Sequence, residues 1–395
     1  MAAEPRDRRA DEIVGASGPP WRIWIAVLAT VGLLLGYLVA HRKTAAEPVA
    51  TRTVPPAGAP ARGSGSGPWI GLGPPGLRLL VGGPSPRLVD AATGASTGLD
   101  VPAAGAGAAA WLIPTGRGAV ALVTPVGPGK PAGRRQAYLV RPGSTPVWLG
   151  AADGGIATRH GGVITVVRTP TGNVLCGFGA DRTQLWRRRV AAGTEPRADT
   201  RYGLLVQVAA APATGEFGAL RLVDPVTGKL RREVSRQARA LLASRADEVA
   251  WGEAGPCPPH CAVRVTDLAT GVTRTVGAGF RRTPAAGAFS PDGRWLALTF
   301  EAGVPADSAD RYPDGQVGVV DLDSGVASML RGYSAGLYPP AWVDWSPDGH
   351  LVIMLASLLG RERLRVAVSR HTGWTDGFTI LPWYFLATQS LTVAP

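Results

Sequence analysis

The densest group of possible metal ligands is the short stretch CPPHC, which carries Cys257, His260 and Cys261. A structural zinc site needs four ligands, and no second pair accompanies these residues in the sequence. The two cysteines are close enough in sequence to form a disulfide across a hairpin turn, and such bonds persist in oxidising compartments. The sequence therefore favours a Cys257–Cys261 disulfide over a zinc site and leaves Cys176 as the free thiol.

Acidic residues form a second group with possible chemistry. Asp292 and Asp348 occupy the same place in two SPDG stretches, and a long acidic segment spans Glu301 to Gln316. Carboxylate oxygens suit a hard cation such as calcium, but the spacing matches no established calcium loop. We expect the two SPDG aspartates to stabilise hairpin turns. The segment is expected to be a solvated loop, with acidic residues Glu301, Asp307, Asp310 and Asp314.

Composition and motifs exclude several classes of function. The five histidines belong to neither an H-E-x-x-H zinc motif nor any other catalytic constellation, and no G-x-x-x-x-G-K phosphate loop occurs. The net charge of +12 comes almost entirely from arginine, because the chain has only three lysines. Basic residues do not alternate with aromatic ones, as they do in nucleic-acid-binding proteins. The sequence predicts no catalytic residue, no metal, no cofactor and no nucleic-acid partner.

The SPDG stretches belong to a repeat that runs through the chain from Trp69 onward. Chemically related turns, each followed by an apolar strand, recur in steps of about 40 to 56 residues. A second turn, of the VDLDSG type, recurs in register with the first. The matching positions of the first turn are Gly76, Gly116, Gly161, Gly203, Asp247, Gly293 and Gly349.

A period near 45 residues with about four short strands per unit is typical of a β-propeller blade. We therefore predict an all-β fold, a seven-bladed β-propeller over residues 69–395. Such a ring must close to protect its strand edges, and the tail LPWYFLATQSLTVAP is the candidate for the closing strand. The blades are expected to start near residues 69, 106, 151, 193, 238, 284 and 339.

Two blades also resemble a known family. The stretches FSPDGRWLALTF…VGVVDLDSG and WSPDGHLVIML…RVAVSRHTG are similar to WD-repeat-like, TolB-like propeller blades of bacterial extracytoplasmic proteins. The resemblance covers residues 69 to about 380 and is degenerate in the other five blades. The Trp-Asp ending and Gly-His start of eukaryotic WD repeats are absent, so that stricter family is not implied. Composition and layout resemble membrane-anchored propellers of high-GC actinobacteria.

One face of the predicted ring carries the candidate binding residues. In a propeller the SPDG turns lie on one face, whereas the loops between the second and third strands and between blades lie on the other. These second loops vary most, as functional loops do. Aromatic and arginine residues together are typical of protein-binding hot spots, although ordinary loop packing explains them equally well. The candidates are Phe280, Arg281, Arg282, Asp310, Tyr312, Tyr333 and Tyr338.

Residues 23–40 form an uncharged apolar run ahead of the repeats. As a helix this run would be roughly 27 Å long, close to the hydrocarbon thickness of a bilayer. The residues HRK follow where signal-peptide cleavage would need small side chains, which favours a retained signal anchor over a cleaved peptide. The predicted layout is a short cytoplasmic tail at 1–20, a transmembrane anchor at 21–43 and a Pro/Gly-rich linker at 44–68.

The orientation of this anchor follows from the cysteines. Four basic residues precede the apolar run and three follow it, so the positive-inside rule does not decide. A Cys257–Cys261 disulfide places the large C-terminal domain outside the cytoplasm. We therefore expect a single-pass plasma-membrane protein with a non-enzymatic propeller that engages a protein or envelope component. The alternatives are a propeller hydrolase or lyase with an axial metal site, and a cytoplasmic propeller of reversed topology.

The disulfide can be tested by thiol labelling of the native protein. We expect a maleimide to modify only Cys176 until a reductant is added, and then to modify Cys257 and Cys261 as well. Mass spectrometry of the labelled peptides reads out all three positions. Ready labelling of Cys257 and Cys261 without reductant would contradict both the disulfide and the orientation inferred from it.

Overall fold

The chain folds into seven antiparallel sheets, as the sequence predicts. The structure is a computed structural model. It describes residues 73–102, 110–116, 118–124, 134–209, 218–254, 262–277, 280, 282–300, 317–330, 340–356, 363–374, 378–380, 385–386 and 390–394. None of the helices within these ranges is long and apolar enough to cross a membrane. The predicted anchor at residues 23–40 and the linker at 44–68 lie outside the described residues.

The first four blades follow the order of the chain. Their strands are β1 (Arg78–Val81), β2 (Arg87–Asp90) and β3 (Ser96–Gly98) in blade 1; β4 (Ala110–Thr115), β5 (Gly118–Val123), β6 (Gln136–Val140) and β7 (Val147–Ala151) in blade 2; β8 (Gly154–Ala157), β9 (Val163–Thr169), β10 (Gly172–Phe178) and β11 (Gln184–Val190) in blade 3; and β12 (Thr194–Thr200), β13 (Gly203–Val208), β14 (Ala219–Val223) and β15 (Leu230–Ser235) in blade 4.

The last three blades complete the ring. Their strands are β16 (Ala238–Ser244), β17 (Glu248–Glu253), β18 (Val263–Asp267) and β19 (Thr273–Val276) in blade 5; β20 (Pro284–Phe289), β21 (Trp295–Phe300), β22 (Val317–Asp321) and β23 (Ala327–Met329) in blade 6; and β24 (Pro340–Trp345), β25 (Leu351–Ala356), β26 (Arg363–Ser369), β27 (Phe378–Ile380) and β28 (Phe385–Leu386) in blade 7, followed by β29 (Leu391–Ala394).

The C-terminal strand closes the ring. β29 pairs antiparallel with β1, with Arg78 opposite Ala394 and Val81 opposite Leu391. Blade 1 therefore has the order β29-β1-β2-β3, and its innermost strand comes from the other end of the domain. The closing strand expected in the tail is confirmed. Closure of this kind removes an exposed strand edge and links the two ends of the domain by backbone hydrogen bonds.

The core consists of apolar layers between neighbouring blades. On β13, Leu204 and Val206 pack against Leu175 of blade 3. Leu205, which lies between them in sequence, packs instead against Val249 of blade 5. Successive side chains of a strand point to opposite faces of its sheet. Both sets are apolar here because a neighbouring blade covers each face.

The two repeated turns lie on the same face of the ring, which we call the turn face. One turn joins the first and second strands of a blade, and the other joins the third and fourth. In the SPDG turn of blade 6, Gly293 donates its N–H to the Ser290 carbonyl (2.9 Å) and has a φ of 76°, which favours glycine. The remaining connections lie on the opposite face, which we call the loop face.

The closing strand can be tested with a pair of neighbouring substitutions. Leu391 is 2% exposed and packs between blades 7 and 1. We expect Leu391→Ala to lower the free energy of unfolding by about 2 to 4 kcal/mol, because it removes buried apolar volume where the ring closes. The half-buried Thr392 on the same strand is the control, and Thr392→Ala should cost under about 1 kcal/mol. Equal effects in chemical denaturation would contradict the role given to this strand.

Candidate functional site

Two of the binding residues predicted from the sequence, Phe280 and Arg282, are among the described residues. Phe280 is only 6% exposed and packs edge-to-face on Phe300, with ring centroids 4.8 Å apart. It belongs to the core between blades 5 and 6 and does not offer its ring to a partner, whereas Arg282 is half-buried. The other predicted binding and disulfide residues lie outside the described residues; they are Arg281, Asp310, Tyr312, Tyr333, Tyr338, Cys257 and Cys261.

The loop face carries an arginine network that the sequence reading did not identify. Arg168, near the end of β9, forms a two-pronged ion pair with Glu195 on β12, with Nε–Oε1 at 2.7 Å and Nη2–Oε2 at 3.0 Å. The Arg168 backbone N–H donates to Asp153 Oδ2 (2.6 Å), and Arg134 Nη2 donates to the Arg168 carbonyl (2.6 Å). The hydrogen bonds that Arg168 donates to Glu195 raise the pKa of the guanidinium. The network thus joins blades 2, 3 and 4.

Arg197 extends this network toward the axis of the ring. It lies on β12, the innermost strand of blade 4, and its side chain is exposed. Although part of the residue remains in water, partial desolvation by neighbouring residues lowers the pKa of its guanidinium; Glu195 opposes this shift and Arg168 adds to it. In the described part of the chain the cluster brings three arginines, Arg134, Arg168 and Arg197, together with the carboxylates of Asp153 and Glu195, so it carries a net positive charge. Arginine donors in this geometry suit carboxylate or phosphate groups.

The turn face has an axial cavity of about 410 Å³ with one carboxyl group in its wall. The ends of β4, β8, β24 and β29 surround it, and Asp344 and Arg159 are among its lining residues. Asp344 Oδ1 accepts the Trp345 backbone N–H (2.9 Å). Burial raises the pKa of Asp344 to about 6, although backbone N–H groups of Trp345 and Val393 oppose the shift. A perturbed carboxyl in a cavity is a candidate acid or base, but catalysis needs further groups in reach.

Ser346, Asp348 and His350 lie together on this face but are not arranged as a catalytic triad. Ser346 Oγ donates to Asp348 Oδ1 and accepts the His350 backbone N–H (2.8 Å). His350 Nε2 lies 3.3 Å from Asp348 Oδ2, and its Nδ1 contacts the Ser369 carbonyl (2.9 Å). The aspartate therefore stands between serine and histidine, whereas in a triad the histidine stands between the other two. Ser346 is also fully buried, so the group stabilises its turn.

Two stretches have the spacing of a hydrolase nucleophile turn, G-x-S-x-G. Gly332–Gly336 lies outside the described residues, whereas Gly94–Gly98 is described. That motif works where a strand turns sharply into a helix and exposes the serine above a sheet. Here Gly94 closes a turn through its N–H to the Asp90 carbonyl (2.8 Å), and Ser96 begins the outermost strand β3 opposite Val89. The structural context of a nucleophile is missing, so the stretch is a hairpin connection.

The repeated aspartates are occupied by their own turns. Hydrogen bonds from a threonine three residues later lower the pKa of Asp90, Asp224 and Asp267. Asp292 accepts the Ser290 hydroxyl and the Arg294 N–H (3.1 Å), which supports the structural interpretation of the SPDG turn. Within the described ranges, His, Cys, Asp and Glu side chains form no group of three or more that could hold a metal ion.

Cys176 lies half-buried on β10. Burial raises the pKa of its thiol, and the nearby Arg187 opposes the shift. Because the thiolate is the nucleophile, Cys176 should react slowly at neutral pH and faster as the pH rises.

Comparison with known proteins supports the fold alone. No family model and no curated protein matches the chain. The propeller domain of the Trilobed protease from Pyrococcus furiosus matches with 9% identity and a TM-score of 0.51, over 76% of this chain and 90% of that one. Pyrococcus horikoshii acylaminoacyl peptidase matches with 9% identity and a TM-score of 0.51, over 76% of this chain and 48% of that one.

TolB from Acinetobacter baumannii also matches, with 15% identity and a TM-score of 0.43, over 78% of this chain and 77% of that one. The chain spans about a third to a half of the length of the larger proteases that it matches. At these identities the matches show that the chain is a β-propeller with peptidase propeller domains among its structural neighbours.

The raised pKa of Asp344 predicts how the free energy of unfolding depends on pH. Its folded pKa of about 6 lies above the ordinary aspartate pKa of 3.8, so the charged carboxylate destabilises the fold. This cost is absent below about pH 4, grows between pH 4 and 6 and is complete above pH 6. We expect Asp344→Asn to raise the free energy of unfolding by about 1 to 3 kcal/mol at pH 8 and to change it little at pH 4.

Asp267→Asn is the control with the opposite sign. A hydrogen bond from Thr270 lowers the pKa of Asp267, so its charged form stabilises the turn. This variant should lose stability at pH 8 and keep most of that loss down to about pH 4, because the folded pKa of Asp267 lies below its ordinary value. Denaturation series from pH 4 to 8 compare the two variants. A parallel pH dependence of Asp344→Asn and the parent would contradict the buried-carboxyl assignment.

Proposed function

We propose that this protein is a non-enzymatic binding or scaffold propeller, held at the plasma membrane by residues 23–40 and displayed outside the cell on the linker at 44–68. The partner is a protein or a cell-envelope component that docks on the loop face. One observation supports the non-enzymatic part: the serine and aspartate side chains of the described SPDG turns hydrogen-bond within those turns. Ser346, Asp348 and Asp292 are examples.

The loop face supports a binding role through its variation. Connections between second and third strands on this face range from residues 170–171 in blade 3 to 301–316 in blade 6. The turns on the opposite face instead repeat one chemistry around the ring. Loops that vary on a rigid scaffold are where binding proteins place their contacts. The propeller thus supplies a fixed frame for a variable surface.

The charge of the loop face supports a partner with anionic or carbonyl groups. Hydrogen bonds hold Arg134 on the Arg168 carbonyl and Arg168 on Glu195, so these two side chains lose little entropy when they bind. By contrast, Asp344 is the only carboxylate among the described residues that line the axial cavity. A single carboxyl without a described nucleophile or base beside it offers less support for hydrolase or lyase chemistry.

The docking face can be tested by substituting Arg281, Arg282, Tyr333 and Tyr338 together with alanine. If these side chains contact the partner, capture of the partner from chemically cross-linked membranes should fall at least about tenfold. Quantitative mass spectrometry of the co-purified proteins measures the capture. Thermal melting of the variant has to match that of the parent, so that lost capture reports contact rather than unfolding.

A control on the turn face matches the loss of two positive charges. Arg159 and Arg370 are exposed there, and their double alanine variant should capture as much partner as the parent. Unchanged capture by the loop-face variant would exclude this face as the docking surface. Equal loss in both variants would show that net charge, and not the loop face, controls capture.

A further inference from the structure

A cleft of about 310 Å³ lies between blades 3 and 4. Its volume is at the lower end of small-molecule sites, roughly 300 to 1,000 Å³. Its walls are mainly apolar, and include Leu175, Val190, Leu204, Val206, Val208 and Val223. The buried core shared by these two blades consists of Ile164, Val166, Leu175, Leu204 and Val206 in the described part of the chain, with partly buried residues packed against it. The interface is therefore incompletely filled.

Two arginines interrupt the apolar stripes that face each other across this cleft. On β11, Arg188 lies between Trp186 and Val190, both of which pack toward blade 4. On β14, Arg221 is followed two residues later by Val223, which packs toward blade 3. The period of a strand places each arginine on the same face as its apolar neighbours. Both guanidinium-bearing side chains line the cleft.

Arg188 has no carboxylate partner within ion-pair distance among the described residues. Its one hydrogen bond is a long one, from Nη1 to the Pro225 carbonyl at 3.5 Å. The guanidinium packs against the turn at Gly228, where an added Cβ would come within 2.6 Å of Arg188 Cζ. The residue is half-buried, and packing against this turn holds the side chain in place of an ion pair. Such a cation lacks compensation for the water it has lost.

Arg221 is only partly compensated. Its Nε is buried without a hydrogen-bond partner and lies 3.5 Å from Glu233 Oε2. Glu233 also binds Arg236, with Nε–Oε1 at 2.6 Å. The other carboxylate at the cleft, Asp224, accepts the Thr227 N–H (2.6 Å) and pairs with Arg231 (2.6 Å). Both carboxylates are thus shared with cations or backbone groups outside the pair.

We propose that this cleft binds an amphipathic anion, a molecule with a carboxylate or phosphate head and a medium-length acyl chain. The head is held by Arg188 and Arg221, because guanidinium groups form short, charge-assisted hydrogen bonds with these anions. The chain lies against Leu175, Leu204 and Val206, where it fills the incompletely packed interface. This site depends on the cleft alone and is independent of the proposed docking at the loop face.

Photo-crosslinking of the full-length protein in a non-ionic detergent tests the site directly. The probes are diazirine analogues of decanoate, decyl phosphate and decanol, which share a chain and differ in the head. We expect the two anionic probes to label peptides from β11, β13 and β14, and decanol to label them about tenfold less. The stronger anion identifies the head as a carboxylate or a phosphate.

Variants separate the head contacts from nonspecific partitioning into detergent. Arg188→Gln and, in a second protein, Arg221→Gln should each weaken labelling by the anionic probes about tenfold. Arg187→Gln is the matched control, since Arg187 lies on the same strand, is exposed and does not line the cleft. Its labelling should stay within about twofold of the parent. Both glutamine variants are checked by thermal melting.

Three results with the parent protein and the two cleft variants would overturn the proposal. They are absence of label from the strands around the cleft, equal labelling by decanol and the anions, and labelling that Arg188→Gln and Arg221→Gln leave unchanged in folded protein. Loss of labelling in Arg187→Gln to the same degree would also overturn it, because general charge attraction would then explain the result.

Discussion

Ring closure is the constraint on which the rest of this structure depends. Each blade buries apolar side chains on both of its faces, so no blade is stable with one face in water. A linear row of seven sheets would leave two such faces exposed. Pairing of β29 with β1 joins the ends, and Leu391 and Val393 of the closing strand pack in one layer with Val352 and Met354 of blade 7.

Closure also explains why the turn chemistry is so uniform. Every blade needs a tight connection at the end of its innermost strand, close to the axis where space is limited. Hydroxyl groups recur at this position: Thr158 Oγ1 accepts the Gly162 N–H (2.9 Å), and Ser290 and Ser346 accept equivalent N–H groups (both 2.8 Å). Local hydrogen bonds of this kind satisfy backbone donors where no strand continues. The repeated polar residues are therefore a requirement of the fold, and their recurrence says little about ligands.

Local signals made the blade number and the closing strand predictable from the sequence, because turn residues and strand periods act over a few positions. The recurring hydroxyl is also a local signal, but the turn pattern predicted from Pro-Asp-Gly did not include it. Phe280 shows what local patterns do not predict. An aromatic residue between two strands is expected to be exposed, but Phe280 packs on Phe300, twenty positions later in the chain, because the fold brings them together. The Arg168–Glu195 pair and the cleft at Arg188 join different blades, so no local pattern marks them.

The arginines in this chain differ by the surface on which the fold places them. Where an arginine emerges at the end of a strand, as Arg168 does, a carboxylate from the next blade can meet it and water completes its solvation. Where it lies in the middle of an inter-blade stripe, as Arg188 does, the neighbouring sheet offers aliphatic side chains and the charge needs a partner from elsewhere. An apolar residue at that position would fill the interface and cost nothing in solvation. A half-buried guanidinium there opposes the packing on which closure depends, and a bound anion with an apolar tail would restore both the charge balance and the missing contacts.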